Sequence, residues 1–387
     1  MILLQDIVDH TPDLTALRRD LHAHPELGFE ETRTAALVAE RLAGWGIEVH
    51  RGIGGTGVVG VIHGTGDGRR IGLRADMDAL PMDEATGAPH ASRIAGRFHG
   101  CGHDGHTVML LGAARHLARS RQFQGAVVLI FQPAEEGLGG AARMIADGLF
   151  QRFPCDEIYA LHNWPGAPLG RISLKPGVAM AAADNFDIVI RGRGAHGALP
   201  QNAVDPVMVA AALTQGLQSI ISRNVDPLRT AILSVTRLLA GSAYNVIPET
   251  ALLAGTLRSF DADTRALVAQ RMQALATGIA QGFGAQAEVT LTPRFSALHN
   301  APLQAEAAMQ VARELVGPDL AQLDEDPKTG SEDFAEMLQQ VPGAYLLLGQ
   351  GDGPALHNPA YDFNDAAIPI GASFLARLAE RRSRATQ

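Results

Sequence analysis

The sequence holds only two cysteines, Cys101 and Cys155, among 387 residues. So sparse a supply excludes a disulfide framework and, with no export signal in view, predicts thiols kept reduced, as in a cytoplasm. No apolar run approaches the roughly 20 residues that cross a bilayer. The opening stretch Met1 to Asp9 carries early acids and no basic leader, so neither a membrane span nor a secretory signal is expected. Basic residues are in deficit: 32 Lys and Arg stand against 41 Asp and Glu, a formal charge of −9 with a pI near 5.9. A surface of that sign offers phosphates no footing, which excludes nucleic acid and anionic membrane as partners and favours small molecules. Internal repeats and low-complexity segments are absent. So are Gly-x-Ser-x-Gly, a phosphate-binding loop and His-Glu-x-x-His. What remains is 46% hydrophobic and 19% charged, an ordinary globular composition with length for two domains.

Periodicity organises the chain. Residues 12 to 43 read as helical, through Leu14, Leu17, Leu21, Ala36, Leu37, Ala39 and Leu42, with Gly44 as a stop. Short aliphatic runs follow at Val58 to His63, Arg70 to Ala75, Ala126 to Phe131 and Glu157 to Leu161, with helical segments at Thr107 to Arg119 and Ala141 to Leu149. That alternation predicts a layered α/β core with a mainly parallel sheet, whose ligands collect beyond the carboxyl ends of the strands.

A different order begins after Asp184. Strand-like Asn185 to Arg191, helical Asp205 to Ser222, strand-like Thr230 to Leu239 and Thr250 to Phe260, helical Asp263 to Gly282 and strand-like Gln286 to Pro293 spell β-α-β-β-α-β, an α+β ferredoxin-like unit of about 110 residues. The chain then returns to α/β character, with helices at Glu306 to Val316, Phe334 to Leu338 and Ala366 to Arg382 and a strand at Ala344 to Leu348. The reading is one domain inserted in another: 1–183 with 295–387 as the α/β domain, 184–294 as the insertion.

The run Gly100-Cys-Gly-His-Asp-Gly-His106 carries most of the chemistry. A thiol, two imidazoles and a carboxylate spaced by glycines can converge from one tight loop, and these are donors that Zn²⁺ prefers, with Mn²⁺, Co²⁺ or Ni²⁺ accepted in mixed sites. A solvated glycine-rich turn is the competing reading of that heptad alone. Glu135 and Glu136 follow the strand-like run Ala126 to Phe131; adjacent carboxylates repel, and a cation relieves them, one acid binding it while the other moves protons. His162 closes another strand, and His357 lies beyond Leu348. Cys101, His103, Glu136, His162 and His357 thus make five donors at strand ends, a set suited to two metals sharing a bridge. Asp76 and Asp78 follow the strand Ile71 to Leu73 on one face, where a carboxylate can orient a ligand histidine or simply cap a turn. Gly55 to Gly60 and Gly192 to Gly197 match the letters of a dinucleotide fingerprint. The first runs into a strand and the second meets Leu199-Pro200 before any helix, so no nucleotide site is expected.

Taken together, Leu21-His-Ala-His-Pro-Glu-Leu-Gly-Phe-Glu-Glu31, Arg74-Ala-Asp-Met-Asp-Ala-Leu-Pro81, Cys101-Gly-His-Asp-Gly-His106, Gln132-Pro-Ala-Glu-Glu-Gly137 and Gly330-Ser-Glu-Asp-Phe334 resemble the M20 metallopeptidase family in its M20D amidohydrolase branch, over nearly the whole chain and in family order. The resemblance implies two divalent ions per subunit on Cys101, His103, Glu136, His162 and His357, with Glu135 as general base and Asp78 orienting a ligand. Cys101 replaces the bridging aspartate of related dipeptidases. Asp76 stands where those relatives carry a ligand histidine and stays outside the set. Asp104 and His106 keep loop-shaping roles. The resemblance further implies that His196, in the inserted lid, reaches the active site of a partner subunit in a homodimer, and that Asn245 and Arg258 hold the carbonyl and carboxylate of the substrate. The activity expected is hydrolysis of the amide bond of N-acyl amino acids in the cytoplasm. A dipeptidase or aminopeptidase on the same fold, or a metal-binding module without catalysis, is the alternative.

Overall fold

The structure is a computed structural model that describes residues 1–323 and 325–384. The sequence expectation for the α/β domain runs on to 387, and its last three residues lie outside the described ones, as does Asp324. The chain forms two compact units, Met1–Ala179 with His299–Asp326 and Glu332–Gln387, and Met180–Leu298 with Pro327–Ser331.

In the first unit β1 (Glu48–Ile53), β2 (Gly57–His63), β3 (Arg70–Asp76), β4 (Ala126–Gln132), β5 (Glu157–Trp164) and β6 (Ile172–Leu174) build most of one sheet, and β7 (Gly177–Met180) leads the chain out of it. The second unit holds β8 (Ala182–Arg191), β9 (Ala195–His196), β10 (Ala231–Ala240), β11 (Val246–Ile247), β12 (Thr250–Ser259) and β13 (Gln286–Phe295). After β14 (Leu298–Asn300) come β15 (Ala321–Leu323) and β16 (Gly343–Gly349), which complete the first sheet in the order β1-β2-β4-β3-β5-β16-β6-β15. Its centre is parallel, β4 to β3, β3 to β5 and β5 to β16, while β1 to β2, β2 to β4 and β16 to β6 are antiparallel and β6 to β15 is parallel.

Alternation assigns the two faces of this sheet. Val127, Leu129 and Phe131 of β4, and Ile71, Leu73 and Ala75 of β3, join one core with Leu110 and Leu111 of the helix His103–Ser120 and Phe374 of the helix Ile368–Arg382. The intervening Arg74, Asp76 and Gln132 are equally buried and point to the opposite face. No helix among the described residues is long and apolar enough to cross a membrane.

The continuous helix expected over 12 to 43 is two helices, Gln5–Ala23 and Thr32–Gly44. Pro25 and Gly28 interrupt it, and Phe29 takes φ of +64°, a left-handed conformation no helix tolerates. Glu26 then starts the second helix from a distance: its carboxylate accepts the N–H groups of Arg33 at 2.9 Å and Thr34 at 2.8 Å, satisfying two donors that every helix start leaves open. Pro12, read as a start, lies inside the first helix.

The second unit is ferredoxin-like. Its antiparallel sheet runs β10-β12-β8-β13, with helices Pro206–Arg223 and Ala262–Gly282 packed on it through Leu213, Leu217, Val268 and Met272. Asp205 and Asp261 cap these helices by accepting the N–H of Val207 at 2.9 Å and of Thr264 at 2.8 Å.

Candidate active site

The carboxyl ends of the parallel strands gather the chemistry. Asp76 ends β3 with Asp78 just beyond, Gln132 ends β4 and leads to Glu135 and Glu136, His162 lies near the end of β5, and His357 follows β16. Cys101 and His103 enter from the loop that starts the helix His103–Ser120. Gly102, at φ of +92°, makes that entry: a Cβ there would stand 2.4 Å from Asn163 Oδ1 and 2.6 Å from Tyr361 Oη. His357 sits at φ of +64° with its N–H donating to Gly100 O at 2.8 Å, and Ala134, before Glu135, sits at φ of +54°. Non-glycine residues in this region hold only where the surroundings over-determine them, and such strain clusters at functional sites.

The histidine tautomers are set by their neighbours. His103 Nδ1 donates to Asp78 Oδ1 at 3.2 Å and His162 Nδ1 donates to the carbonyl of Asn163 at 2.7 Å. Each Nε2 is thereby left with a free lone pair, the arrangement a metal-binding imidazole needs. His162 Nε2 lies 3.5 Å from Cys101 Sγ, and His357 Nε2 lies 3.4 Å from Glu136 Oε1. His103 Nε2 and Glu136 Oε1, 4.0 Å apart, are buried without a hydrogen-bond partner. Two buried acceptor atoms facing each other unpaired are costly unless a cation lies between them. Hydrogen bonding to Cys101 and Glu136 raises the pKa of His357 to about 10. Burial pushes the Cys101 thiol up and, reinforced by His106, holds His162 well below the usual imidazole range. A thiol, a carboxylate and imidazole lone pairs form a donor set that fits divalent metal.

Behind the donors lies a buried charge network. Arg74 donates to Asp76 at 2.7 Å, Glu332 at 2.9 Å, Asp333 at 3.2 Å and Gln132 Oε1 at 2.8 Å. Asp76 spends its other oxygen on His106 Nδ1 at 2.5 Å, so both its oxygens carry a hydrogen bond, although Oδ2 also lies 3.8 Å from His103 Nε2. One guanidinium therefore serves four acids, since Glu135 lies in the same cluster as Glu332 and Asp333. Burial, joined by the charges of Glu332, Glu136 and Asp333, raises the proton affinity of Glu135 well above the carboxylate norm. Glu135 and Glu136 thus differ: both lie near His103, but Glu136 also meets His357, whereas Glu135 also meets Glu332 and Asp333.

The structure brings Cys101, His103, Glu135, Glu136, His162, His357 and Asp78 together in the first unit. His196, Asn245 and Arg258 lie in the second. His196, exposed, pairs with Val246 across the β9–β11 ladder, and Gly197 N–H donates to Asn245 O at 2.7 Å, so these two share one corner. Arg258 is half-buried on β12, where it donates to Thr256 Oγ1 and to Leu257 O, and burial lowers its pKa. Sequence reasoning missed His106 as more than a loop residue. Its ring is buried 4.4 Å from that of His162 and bridges Asp76 to Asn163, whose own amide reaches Tyr361 Oη at 2.7 Å. It also missed the Arg74 cluster, although the segment Gly330 to Phe334 marked its far side.

Comparison with known proteins accords with this geometry. The model of peptidase family M20/M25/M40 matches residues 72–381. The hippurate hydrolase of Campylobacter jejuni subsp. jejuni is 42% identical over 379 residues, 98% of this chain and 99% of that protein. The N-acetylcysteine deacetylase of Bacillus subtilis is 39% identical over 368 residues, 95% of this chain and 96% of that protein. Among solved structures, the YXEP protein of Bacillus subtilis, a dinuclear metal-binding peptidase of the M20 family, superposes with a TM-score of 0.85 at 35% identity, covering 97% of this chain and 99% of that one. With donors, fold and relatives in agreement, the chain belongs to peptidase family M20/M25/M40, in its M20D amidohydrolase branch, and is an amidohydrolase.

Proposed function

We propose that the protein hydrolyses the amide bond of N-acyl amino acids, releasing a carboxylic acid and a free amino acid, with two divalent ions held by Cys101, His103, Glu136, His162 and His357. The observation that carries this reading is the difference between adjacent acids: Glu136 meets both His103 and His357, while Glu135, grouped with His103 on one side, stands on the other among Glu332 and Asp333. Cys101 belongs to two donor groups, Cys101–His103–His162 and Cys101–Glu136–His357, and would contribute its thiolate to the donor set. When bound, the ions acidify a water molecule and polarise the amide carbonyl. Glu135 would take a proton from the attacking water and pass it to the departing nitrogen; its raised proton affinity suits a carboxylate that must hold the proton between the two events. Asp78 keeps His103 in the required tautomer and fixes the backbone of Glu136 by accepting its N–H at 2.9 Å.

The lid residues complete the reading. Arg258 anchors the free carboxylate of the substrate and Asn245 its carbonyl, which selects N-acyl amino acids over simple amides. His196 acts on the site of a partner subunit in a homodimer. Support comes from its exposure on a two-residue strand, beside Leu199 and Val246, which are also exposed, and from β10, an edge strand of its sheet whose Leu238 and Leu239 face outward. The unpaired cysteines, one buried among the donors, suit a reducing compartment, and the reading assigns the enzyme to the cytoplasm.

The test is a panel of acetyl, benzoyl, succinyl and indole-acyl amino acids beside free dipeptides, with products followed by mass spectrometry and metal content measured on the same sample. Metal-dependent cleavage of acylated substrates is expected. Faster turnover of peptides bearing a free α-amino group would make the protein a peptidase instead. Mixing His196→Ala chains with Glu135→Gln chains tests the shared site, since only an interchange between subunits restores activity.

A further inference from the structure

Glu31 ends the segment Leu21 to Glu31, which the resemblance picked out and the chemistry so far leaves unused. It precedes the helix Thr32–Gly44 but does not cap it, because Glu26 fills that role. Its carboxylate is fully buried and turned elsewhere. Oε1 accepts the N–H of Ala134 at 2.8 Å, and Oε2 accepts the hydroxyl of Thr56 at 2.5 Å. These partners are neutral, and burial accordingly raises the proton affinity of Glu31. A carboxylate buried on neutral donors is an expensive way to tie two loops together, and a shorter neutral side chain would do for cohesion alone.

What Glu31 holds is the residue before the proton carrier. Ala134 is the left-handed alanine at φ of +54°, packed so closely that a Cβ on Gly28 would come within 3.0 Å of its Cα. On the other side of Glu135, the N–H of Glu136 is held by Asp78. The backbone N–H groups of the two residues on either side of Glu135 are thus both tied to buried carboxylates. The carbonyl of Ala134 is tied as well, by Gly140 N–H at 3.0 Å.

We propose that Glu31 is a positioning residue for the hydrolysis: its hydrogen bond to Ala134 fixes the strained turn that aims the carboxylate of Glu135. The inference rests on the reading in which Glu135 moves the proton. Misplacement of a reacting group by about 1 Å costs up to about 100-fold in rate. Glu31→Ala is therefore expected to lower kcat by about 10- to 100-fold, with KM changed by less than about threefold and the metal content unchanged. Glu31→Gln keeps an oxygen for Ala134 and turns its amide toward Thr56 Oγ, which can accept, so it is expected to restore kcat to within about threefold of the wild type.

A purely structural role is separated by a double-mutant cycle with Glu135→Asp, in which the base is already displaced. If Glu31 acts through Glu135, Glu31→Ala costs less than about threefold in that background. The proposal is overturned by an equal loss in both backgrounds, by metal loss in Glu31→Ala, by failure of Glu31→Gln to rescue, or by wild-type kcat in Glu31→Ala. Wild-type turnover in both Glu135→Asp and Glu135→Gln would instead overturn the reading of Glu135. Should Glu31→Ala fail to fold, Thr56→Val leaves Glu31 in place but frees one oxygen. A fall in kcat of a few-fold at constant KM then supports the proposal, and an unchanged kcat overturns it.

Discussion

The carboxylate of Asp78 and the imidazole of His103 meet at 3.2 Å, Oδ1 to Nδ1, while the second oxygen of Asp78 accepts the backbone N–H of Glu136 at 2.9 Å. One side chain therefore orients two expected metal ligands from different loops. Replacing Asp78 by Ala is expected to weaken metal binding by roughly 10- to 100-fold. Isothermal titration of the apo-protein with Zn²⁺ or Mn²⁺ measures this, and affinity unchanged from wild type would remove Asp78 from the site.

Glu135 should behave differently from Glu136. Glu135→Gln is expected to retain its full complement of metal and to lose turnover by on the order of 10²- to 10⁴-fold. Glu136→Gln is expected to lose metal. Metal analysis beside kcat on one preparation of each variant decides the matter, and ordinary turnover in Glu135→Gln would refute its assignment as base.

Metal removal should reach beyond catalysis. The facing His103 Nε2 and Glu136 Oε1 make no hydrogen bond among the described residues, so chelation leaves two buried atoms without one. A ligand at 100 times its Kd stabilises the folded state by about 2.7 kcal/mol. Calorimetry is expected to show a lower Tm after chelation, recovered when metal is returned. An unchanged Tm would mean the ions do not bind where these atoms face each other.

Arg74 is the guanidinium that pairs with all three of Asp76, Glu332 and Asp333. Arg74→Met keeps much of the volume and removes the charge, leaving three acids in the interior. Breaking a buried pair in this way costs about 3–5 kcal/mol. Urea unfolding at pH 7 tests the value, and a change below about 1 kcal/mol would mean the acids are already protonated in the native protein.

Stability should also depend on pH through Glu157. Although burial alone would raise its pKa, hydrogen bonds from Arg382 and Tyr159 with the charges of Arg382 and Arg69 lower it below the ordinary 4.5. The folded state therefore binds this proton less readily than the unfolded chain. Its contribution is complete above about 4.5 and is lost as pH falls through the lower folded value. Glu157→Gln should be less stable than wild type at pH 7, and the gap should narrow below pH 4.5. Thermal unfolding at a series of pH values shows it; a constant gap would count against this linkage.

Local pattern made some of this legible and distance hid the rest. The ligand heptad and the Glu135-Glu136 pair were visible because glycines and an apolar strand bracket them within a few residues. The ferredoxin-like order was visible because each strand and helix of that unit carries its own period. The break at His24 to Glu31 was signalled by Pro25 and Gly28 but passed over because Leu27 continues the apolar spacing across it; the left-handed backbone of Phe29 is what the sequence does not advertise. Arg74 meets Glu332 across 258 positions. No window along the chain can register such a partnership, and only the fold reveals that His106 is wedged between Asp76 and Asn163.

The donors come from widely separated parts of the chain, the first at Cys101 and the last at His357, with the whole ferredoxin-like unit threaded between His162 and His357. Such long closures are slow to form and come late in folding. During synthesis the four earlier donors leave the ribosome before His357 exists. The nascent protein accordingly has an interval in which Cys101 and its neighbours are present without the residue that finishes their site. On the proposed ligand set, the metal site is complete only once His357 has joined the four earlier donors.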